Sequence, residues 1–460
     1  MAKATTPRIP AFRCAECGWA TGKWVGRCGE CQAWGTVSEI GAPRSRTTSA
    51  TAPSAPALRI GDVDLTRATV LSSGIDEFDR VLGGGFVPGA VLLLAGEPGV
   101  GKSTLLLSVA AAWAQAGHTS LYLTGEESAA QVRLRAERIN AMSDNLYLAA
   151  ETDLGAALGA IETCDPSLLI VDSVQTFSSA DIDGVGGGVS QVKEVASTLI
   201  AAAKARNMTT VIVGHVTKDG SVAGPRTLEH LVDVVLQFEG DRHTSLRTVR
   251  AVKNRYGPAD EIGCFELHET GIHGLADPSG LFMTDRLAPA AGTAVTITIE
   301  GRRPLVAEVQ ALIAPTNSPQ PRRVTSGLDS ARIAMMLGVL ERRAGVKVSS
   351  ADCFVATVGG MKISEPAGDL AAALAIVSSG TDVPVPSGVV AIGELTLSGD
   401  IRPVTSLERR LSEAARLGFT DAIIPPNSSA AAPAGMRLHP VSNIAEAISA
   451  CWTVQTGSRR

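Results

Sequence analysis

The chain has 460 residues, 45% hydrophobic and 4% aromatic, which is enough apolar material for about three domains and too much for wholesale disorder. Lys+Arg 41 against Asp+Glu 46 leaves a net charge of −5. That excludes a uniformly basic surface, so any nucleic-acid contact has to be a local patch. No apolar run approaches the roughly 18–20 residues of a membrane span, and Met1 to Phe12 lacks the apolar stretch of a secretory signal. The expected compartment is therefore the cytoplasm, with no membrane partner, where the eight cysteines stay reduced.

Four of those cysteines come first in the chain. Cys14, Cys17, Cys28 and Cys31 form two C-x2-C pairs with ten residues between them. Four thiolates in this spacing select zinc in a tetrahedral site. The module, residues 10–36, is too small to have its own core, so the metal must hold it together. Trp19, Trp24 and Trp34 are interleaved with Arg13, Lys23 and Arg27. The rings either stack on single-stranded bases or pack on the knuckles. Residues 37–59, rich in Ser, Thr, Ala and Pro between Gly41 and Ala57, read as a flexible linker. Cys164, Cys264, Cys353 and Cys451 are isolated and read as small core residues.

Residues 60–285 alternate β-like apolar runs with helical patterns, which predicts an α/β domain. The run from Val91 to Ala95 is followed by Gly96, Glu97, Pro98, Gly99, Val100, Gly101, Lys102, Ser103 and Thr104, then by an Ala/Leu-rich helix. This is G-x-x-x-x-G-K-S between strand and helix, a phosphate-binding loop for a nucleotide. Backbone N–H groups cradle the phosphates, Lys102 reaches the β and γ groups, and Ser103 ligates Mg²⁺. Ser167 to Ser173 is an apolar strand ending in Asp172, the expected second Mg²⁺ element. Leu121 to Glu127 is a strand with acids at its end. Glu126 is the candidate for orienting the attacking water, with Glu127 as the alternate. A further strand, Thr209 to Gly214, ends at His215, a candidate γ-phosphate sensor.

Two glycine-rich stretches, Ser178 to Ser190 and Thr217 to Arg226, are longer than ordinary connections and read as mobile loops. Lys218 and Arg226 in the second are candidate DNA contacts. After a strand-like run from Thr248 to Val252 come Lys253, Asn254, Arg255, Tyr256 and Gly257, two cations around an asparagine closed by a glycine.

With a four-cysteine module, a phosphate-loop core, this K-N-R-Y-G segment and the C-terminal tail described next, the chain resembles the bacterial RadA (Sms) DNA repair family along nearly its whole length. Tyr256 stands where that family commonly has Phe. The resemblance implies a RecA-like ATPase core, a small N-terminal four-cysteine zinc module and a C-terminal α+β Lon-protease-like domain. It further implies a homohexameric motor on single-stranded and branched DNA that promotes branch migration beside a recombinase of the RecA type. In that family Lys253 and Arg255 reach a neighbouring subunit's nucleotide, and the glycine-rich loops line the pore. A RecA-like switch that uses ATP only to load or release DNA shares every one of these motifs.

Residues 286–455 form the tail, with Ala314 to Thr325 expected as an exposed loop. Ala391 to Val404 and Gly418 to Pro425 resemble the Lon proteolytic domain, which uses a Ser–Lys dyad. The nucleophile position falls on Ala367 and the lysine position on or near Glu408, so proteolysis has no mechanism. Arg302, Arg303, Arg342, Arg343, Lys347, Arg409 and Arg410 are candidates for a duplex-DNA face.

Overall fold

The computed structural model describes residues 12–39, 59–62, 69–215, 227–240, 245–284, 289–348, 350–428 and 430–457. They divide into two units, Met1–Asp64 and Leu65–Arg460. In the first, β1 (Phe12–Cys14) pairs antiparallel with β2 (Ala20–Thr21) and β3 (Val37–Glu39). Its only buried apolar cluster among the described residues is Cys14, Cys28 and Val37, with Phe12, Trp19 and Val25 against it. So small a cluster cannot hold a fold without metal.

The second unit opens with α1 (Asp76–Leu82) and then builds a sheet. Its parallel strands are β4 (Val91–Gly96), β5 (Ser120–Thr124), β6 (Leu146–Ala150), β7 (Leu168–Asp172), β8 (Thr209–His215) and β9 (Val234–Gly240). Between them run α2 (Lys102–Gln115), α3 (Ala129–Arg138), α4 (Leu154–Cys164) and α5 (Val189–Arg206). The antiparallel strands β10 (Leu246–Asn254), β11 (Ile262–His268) and β12 (Gly271–Gly274) extend one side. The spatial order is β12-β11-β10-β9-β4-β8-β7-β5-β6.

Strands β4 and β7 are buried at every position, as their unbroken apolar runs require of a parallel sheet covered on both faces. Alternate residues go to opposite layers. Leu92 and Leu94 pack with α1, α2 and α3, while Val91 and Leu93 pack with α4 and α5. The expected strand Thr248 to Val252 is longer at both ends. It takes in Lys253 and Asn254, because these continue the pairing onto Val235 and Val234 of β9 past an irregularity at Val252.

The tail follows through α6 (Ser279–Phe282). One sheet holds β13 (Thr293–Glu300), β14 (Arg303–Pro315), β15 (Arg323–Ser326) and, after α7 (Ser330–Ala344), β16 (Ala351–Thr357), in the order β13-β14-β16-β15. Helix α8 (Asp369–Thr381) is buried from Asp369 to Ser378 at the centre of the largest core. Around it lie β17 (Val389–Ala391), the small hairpin β18 (Glu394–Leu395) with β19 (Ile401–Arg402), α9 (Leu407–Arg416), β20 (Asp421–Ile424), β21 (Arg437–Pro440) and α10 (Ile444–Gly457). The loop expected at 314–325 is shorter than that. Arg323 to Ser326 instead pair in parallel with Cys353 to Ala356, which satisfies their backbone groups.

Charge ties the tail to the core. Arg303, at the start of β14, pairs with Glu77 of α1, and both side chains are buried. Arg303 also donates to the carbonyl of Ala276 at 2.7 Å, and Glu77 accepts the Cys264 N–H at 2.8 Å. Arg303 therefore belongs to no DNA-facing surface. Nor does Arg410, which is fully buried and donates to both oxygens of Glu365 at 2.6 Å. Arg302, Arg342, Arg343, Lys347 and Arg409 remain exposed.

Arg303→Ala leaves Glu77 buried with only the half-exposed Arg80 as counter-ion. Breaking a buried pair from one side costs about 3–5 kcal/mol, and the remaining partner puts the expected loss near the lower end. Urea denaturation measures it, and a loss under about 1 kcal/mol would show that the pair does not anchor the two parts.

Candidate nucleotide and metal sites

The four cysteines predicted to bind metal come together. Cys14 Sγ lies 3.7 Å from Cys31 Sγ, Cys17 Sγ lies 3.5 Å from Cys28 Sγ, and all four sulfurs fall within 4.8 Å of one another. A tetrahedron of thiolates at the Zn–S distance needs sulfurs about 3.8 Å apart, so the cage fits zinc. Of the two uses expected of the tryptophans, Trp19 takes the packing one. A Cβ on Gly29 would come within 2.8 Å of its ring, so the knuckle closes over the indole only because that residue is glycine. Trp24 and Trp34 are largely exposed, with Arg27 over Trp34 at 5.7 Å.

At the carboxyl edge of the parallel sheet, β4 runs into the phosphate loop. Gly101 caps α2 with φ 110, a left-handed conformation that favours glycine, and a Cβ there would meet Ile272 at 2.7 Å. Buried Lys102 donates to the carbonyls of Gly96 and Glu97 at 2.8 and 2.9 Å, holding the loop in a ring. Burial pulls its pKa down, while the charges of Asp172 and Glu126 push it up. The ammonium therefore sits in the field of both carboxylates.

Asp172 ends β7. Its Oδ2 accepts from the buried Tyr122 hydroxyl at 2.6 Å, and its Oδ1 is buried without a protein partner among the described residues. An orphan carboxylate oxygen is costly unless a ligand takes it. This one, with the Ser103 hydroxyl in the first turn of α2, fits a hydrated Mg²⁺. Beyond β5, Glu126 Oε1 is bound by His215 Nε2 at 2.7 Å and by the Ser173 hydroxyl. The His215 hydrogen bond is the largest influence on Glu126. Together with Ser173 and the charge of Lys102 it outweighs partial burial and holds the carboxyl down at about 2. Glu127 turns instead to Arg135 of α3.

The K-N-R-Y-G segment lies elsewhere. Lys253 Nζ donates to the carbonyls of Glu229 and Val232 at 2.7 and 2.8 Å. Asn254 staples the turn, giving Nδ2–H to Leu82 O at 3.0 Å and accepting the Tyr256 N–H at 2.9 Å. Arg255 is half-exposed and pairs with Asp233 Oδ1 at 3.1 Å, while Lys204 holds Oδ2 at 2.6 Å. Burial works to raise the Asp233 pKa, but the Lys204 and Val91 hydrogen bonds prevail and keep it ionised. Asp233 is level with Val91, at the opposite end of β4 from Gly96. At about 3.3 Å per residue the two ends are roughly 17 Å apart.

Comparison with known proteins finds matches in each of the three parts of the chain. An AAA domain family matches residues 55–221, a rubredoxin metal binding domain matches 12–39, and a family described as subunit ChlI of Mg-chelatase matches 344–428. Relatives named DNA repair protein RadA are 54% identical in Mycobacterium tuberculosis, covering 95% of this chain and 92% of the relative. In Mycolicibacterium smegmatis the figures are 54%, 95% and 96%, and in Streptococcus pyogenes serotype M1 they are 45%, 96% and 98%. The chain belongs to the RadA family of DNA repair proteins. Its architecture is that family's zinc ribbon, ATPase core and C-terminal domain, and its cofactors are zinc, ATP and Mg²⁺.

Lys218 and Arg226, the candidate DNA contacts, lie outside the described residues. The first glycine-rich stretch is partly pinned, since buried Gln191 bonds Ser179 N and O and Ile182 O. In the tail, Glu408 is exposed, and the buried cation near Ala367 is Arg410 two residues on. The helical period of α9 turns that position inward. Sequence reasoning also missed Tyr122, Ser173 and Asp233. Each acts through a partner distant in the chain, and no local spacing signals that.

Two outcomes follow from this geometry. Cys28→Ser is expected to lose zinc and unfold residues 12–39 while the circular dichroism of the sheet unit persists; global unfolding would show that the ribbon is integral to that unit. The depressed Glu126 pKa stabilises the fold fully above the ordinary value of 4.5, and the contribution is lost as pH falls from there towards about 2. The urea stability difference between wild type and Glu126→Gln should therefore be flat above about pH 5 and shrink below it. A difference that widens on acidification contradicts the assignment.

Proposed function

We propose that the protein is a ring-shaped, ATP-driven motor, most simply a homohexamer, that translocates on single-stranded DNA and promotes branch migration of recombination intermediates. The observation that carries this reading is the division of the site between two edges of one sheet. Lys102, Ser103, Asp172, Glu126 and His215 gather at the carboxyl edge of the parallel strands, while Arg255 lies at the other edge, beside Asp233. Arg255 cannot serve its own nucleotide from there, and an arginine supplied in trans is a common device for stabilising the transferred phosphoryl group. A closed ring provides such a site at every interface.

In this reading Lys102 holds the β and γ phosphates, and Ser103 and Asp172 hold Mg²⁺. Glu126 orients the attacking water, and His215 reads the γ-phosphate from the end of β8. Glu127, the alternate, is paired with Arg135. Mg²⁺, when bound, neutralises charge on the β and γ oxygens. Lys253 is read, with Arg255, as reaching the neighbour's nucleotide; at the end of β10 it holds the carbonyls of Glu229 and Val232. The domains are taken as residues 10–36, the linker 37–59, the ATPase 60–285 and the tail 286–455. The tail does no proteolysis, since Ala367 offers no nucleophile and the nearby buried cation is tied to Glu365. DNA, in single-stranded and branched form, and a RecA-type recombinase are the partners, and the cytoplasm is the compartment.

A labelled branched junction tests this. Migration is expected with ATP and not with a non-hydrolysable analogue; a protein that only loads or releases DNA would bind the junction without moving it. Lys102→Ala and Arg255→Ala are each expected to be inactive alone. Mixed from exchanging subunits, they form some interfaces with both groups intact. Because trans arginines contribute on the order of 10³ in rate, partial recovery should be plain. Mixtures that stay at the sum of the two backgrounds would refute action in trans.

A further inference from the structure

We propose that Ser173 is a positioning residue for Glu126, holding its carboxylate from the root of the loop that follows β7. The inference rests on the reading of Glu126 as the water-orienting group. Ser173 is fully buried, and its hydroxyl donates to Glu126 Oε1, the same oxygen that His215 Nε2 meets at 2.7 Å. One oxygen is thus fixed from the end of β8 and from the residue after β7, neither a neighbour of Glu126 in sequence, and neither contact engages Oε2. A carboxylate held by two donors at one oxygen has a defined direction for the other, which is what orienting a water demands.

The surroundings make Ser173 more than a filler of space. It directly follows Asp172, which Tyr122 fixes at 2.6 Å. Its own carbonyl accepts the Thr176 N–H at 3.1 Å and the Thr176 hydroxyl at 2.7 Å, closing a tight turn. That turn is pressed under the backbone carrying Glu126, since a Cβ on Gly125 would collide with Thr176 Oγ1. Further along, Gly187 of the glycine-rich stretch folds back on the same turn, where an added Cβ would lie 3.1 Å from Gln175 O. His215 is the last residue of β8. A displacement of the loop after β7 therefore reaches the carboxylate through one hydroxyl.

The test is a double-mutant cycle in the full chain, with single-turnover ATP hydrolysis and fluorescent-ADP binding as readouts. Ser173→Ala is expected to lower kcat about tenfold to a hundredfold, the range of a charge-assisted hydrogen bond at a catalytic carboxylate. Nucleotide affinity and KM should not change. In the Glu126→Gln background the same change should cost almost nothing further, because both act through one carboxylate. Ser173→Thr, which keeps the hydroxyl, should recover part of the rate and stands in if the alanine variant fails to fold. An oligonucleotide that accelerates wild type should accelerate Ser173→Ala less. Equal losses in both backgrounds, a fall in nucleotide affinity with kcat intact, or undiminished DNA stimulation would overturn the proposal. If Glu126→Gln itself turns over like wild type, the reading of Glu126 has failed first, and that result is separate from the other three.

Discussion

A parallel sheet covered on both faces leaves its polar residues nowhere to go but the strand ends. Every buried position of β4 and β7 short of the end is apolar, and the first charges appear where the strands stop. At the carboxyl edge this brings Lys102, Asp172, Glu126 and His215 from four separate segments to one place. At the amino edge it leaves Asp233, Lys204 and Arg255. The distance between the two sets follows from strand length, roughly 17 Å from one end of β4 to the other.

The carboxyl edge is prepared for a cation. Asp172 keeps one buried oxygen open, Glu126 is ionised far below neutral pH, and the one ammonium among them is bound to the loop's own carbonyls. An anionic phosphate entering with Mg²⁺ gives that ammonium a better partner than two neutral carbonyls, since hydrogen bonds between ions are the stronger ones. At the amino edge Asp233 holds two cations at once. If Arg255 swings away, Lys204 and the Val91 N–H still neutralise the buried carboxylate, so releasing the arginine does not strand a charge.

The tail is held together by buried ion pairs. Ala367 is buried in a short turn ahead of α8, and Glu365 beside it is occupied by Arg410, the Thr298 hydroxyl and the Ile299 N–H. Such a carboxylate and guanidinium act as a rivet between the turn and α9. A second rivet, Arg303 with Glu77, joins the tail to the ATPase helix α1.

Chemistry concentrated in consecutive residues was legible without coordinates. The phosphate loop, the two cysteine pairs and Asp172 at the end of an apolar run are all local patterns, because each depends on backbone geometry within a few residues. The different surroundings of Glu126 and Glu127 were not local. Arg135 holds one acid while Ser173 and His215, 47 and 89 residues away, hold the other. In the same way, Arg303 and Arg410 read as surface charges until their partners, 226 and 45 residues distant, drew them inside. Sequence determines which residues can bind phosphate or metal, since that follows from their chemistry and spacing. Only the tertiary structure decides which charges are buried and paired, because desolvation and ion pairing are set by neighbours that the chain meets only after it has folded.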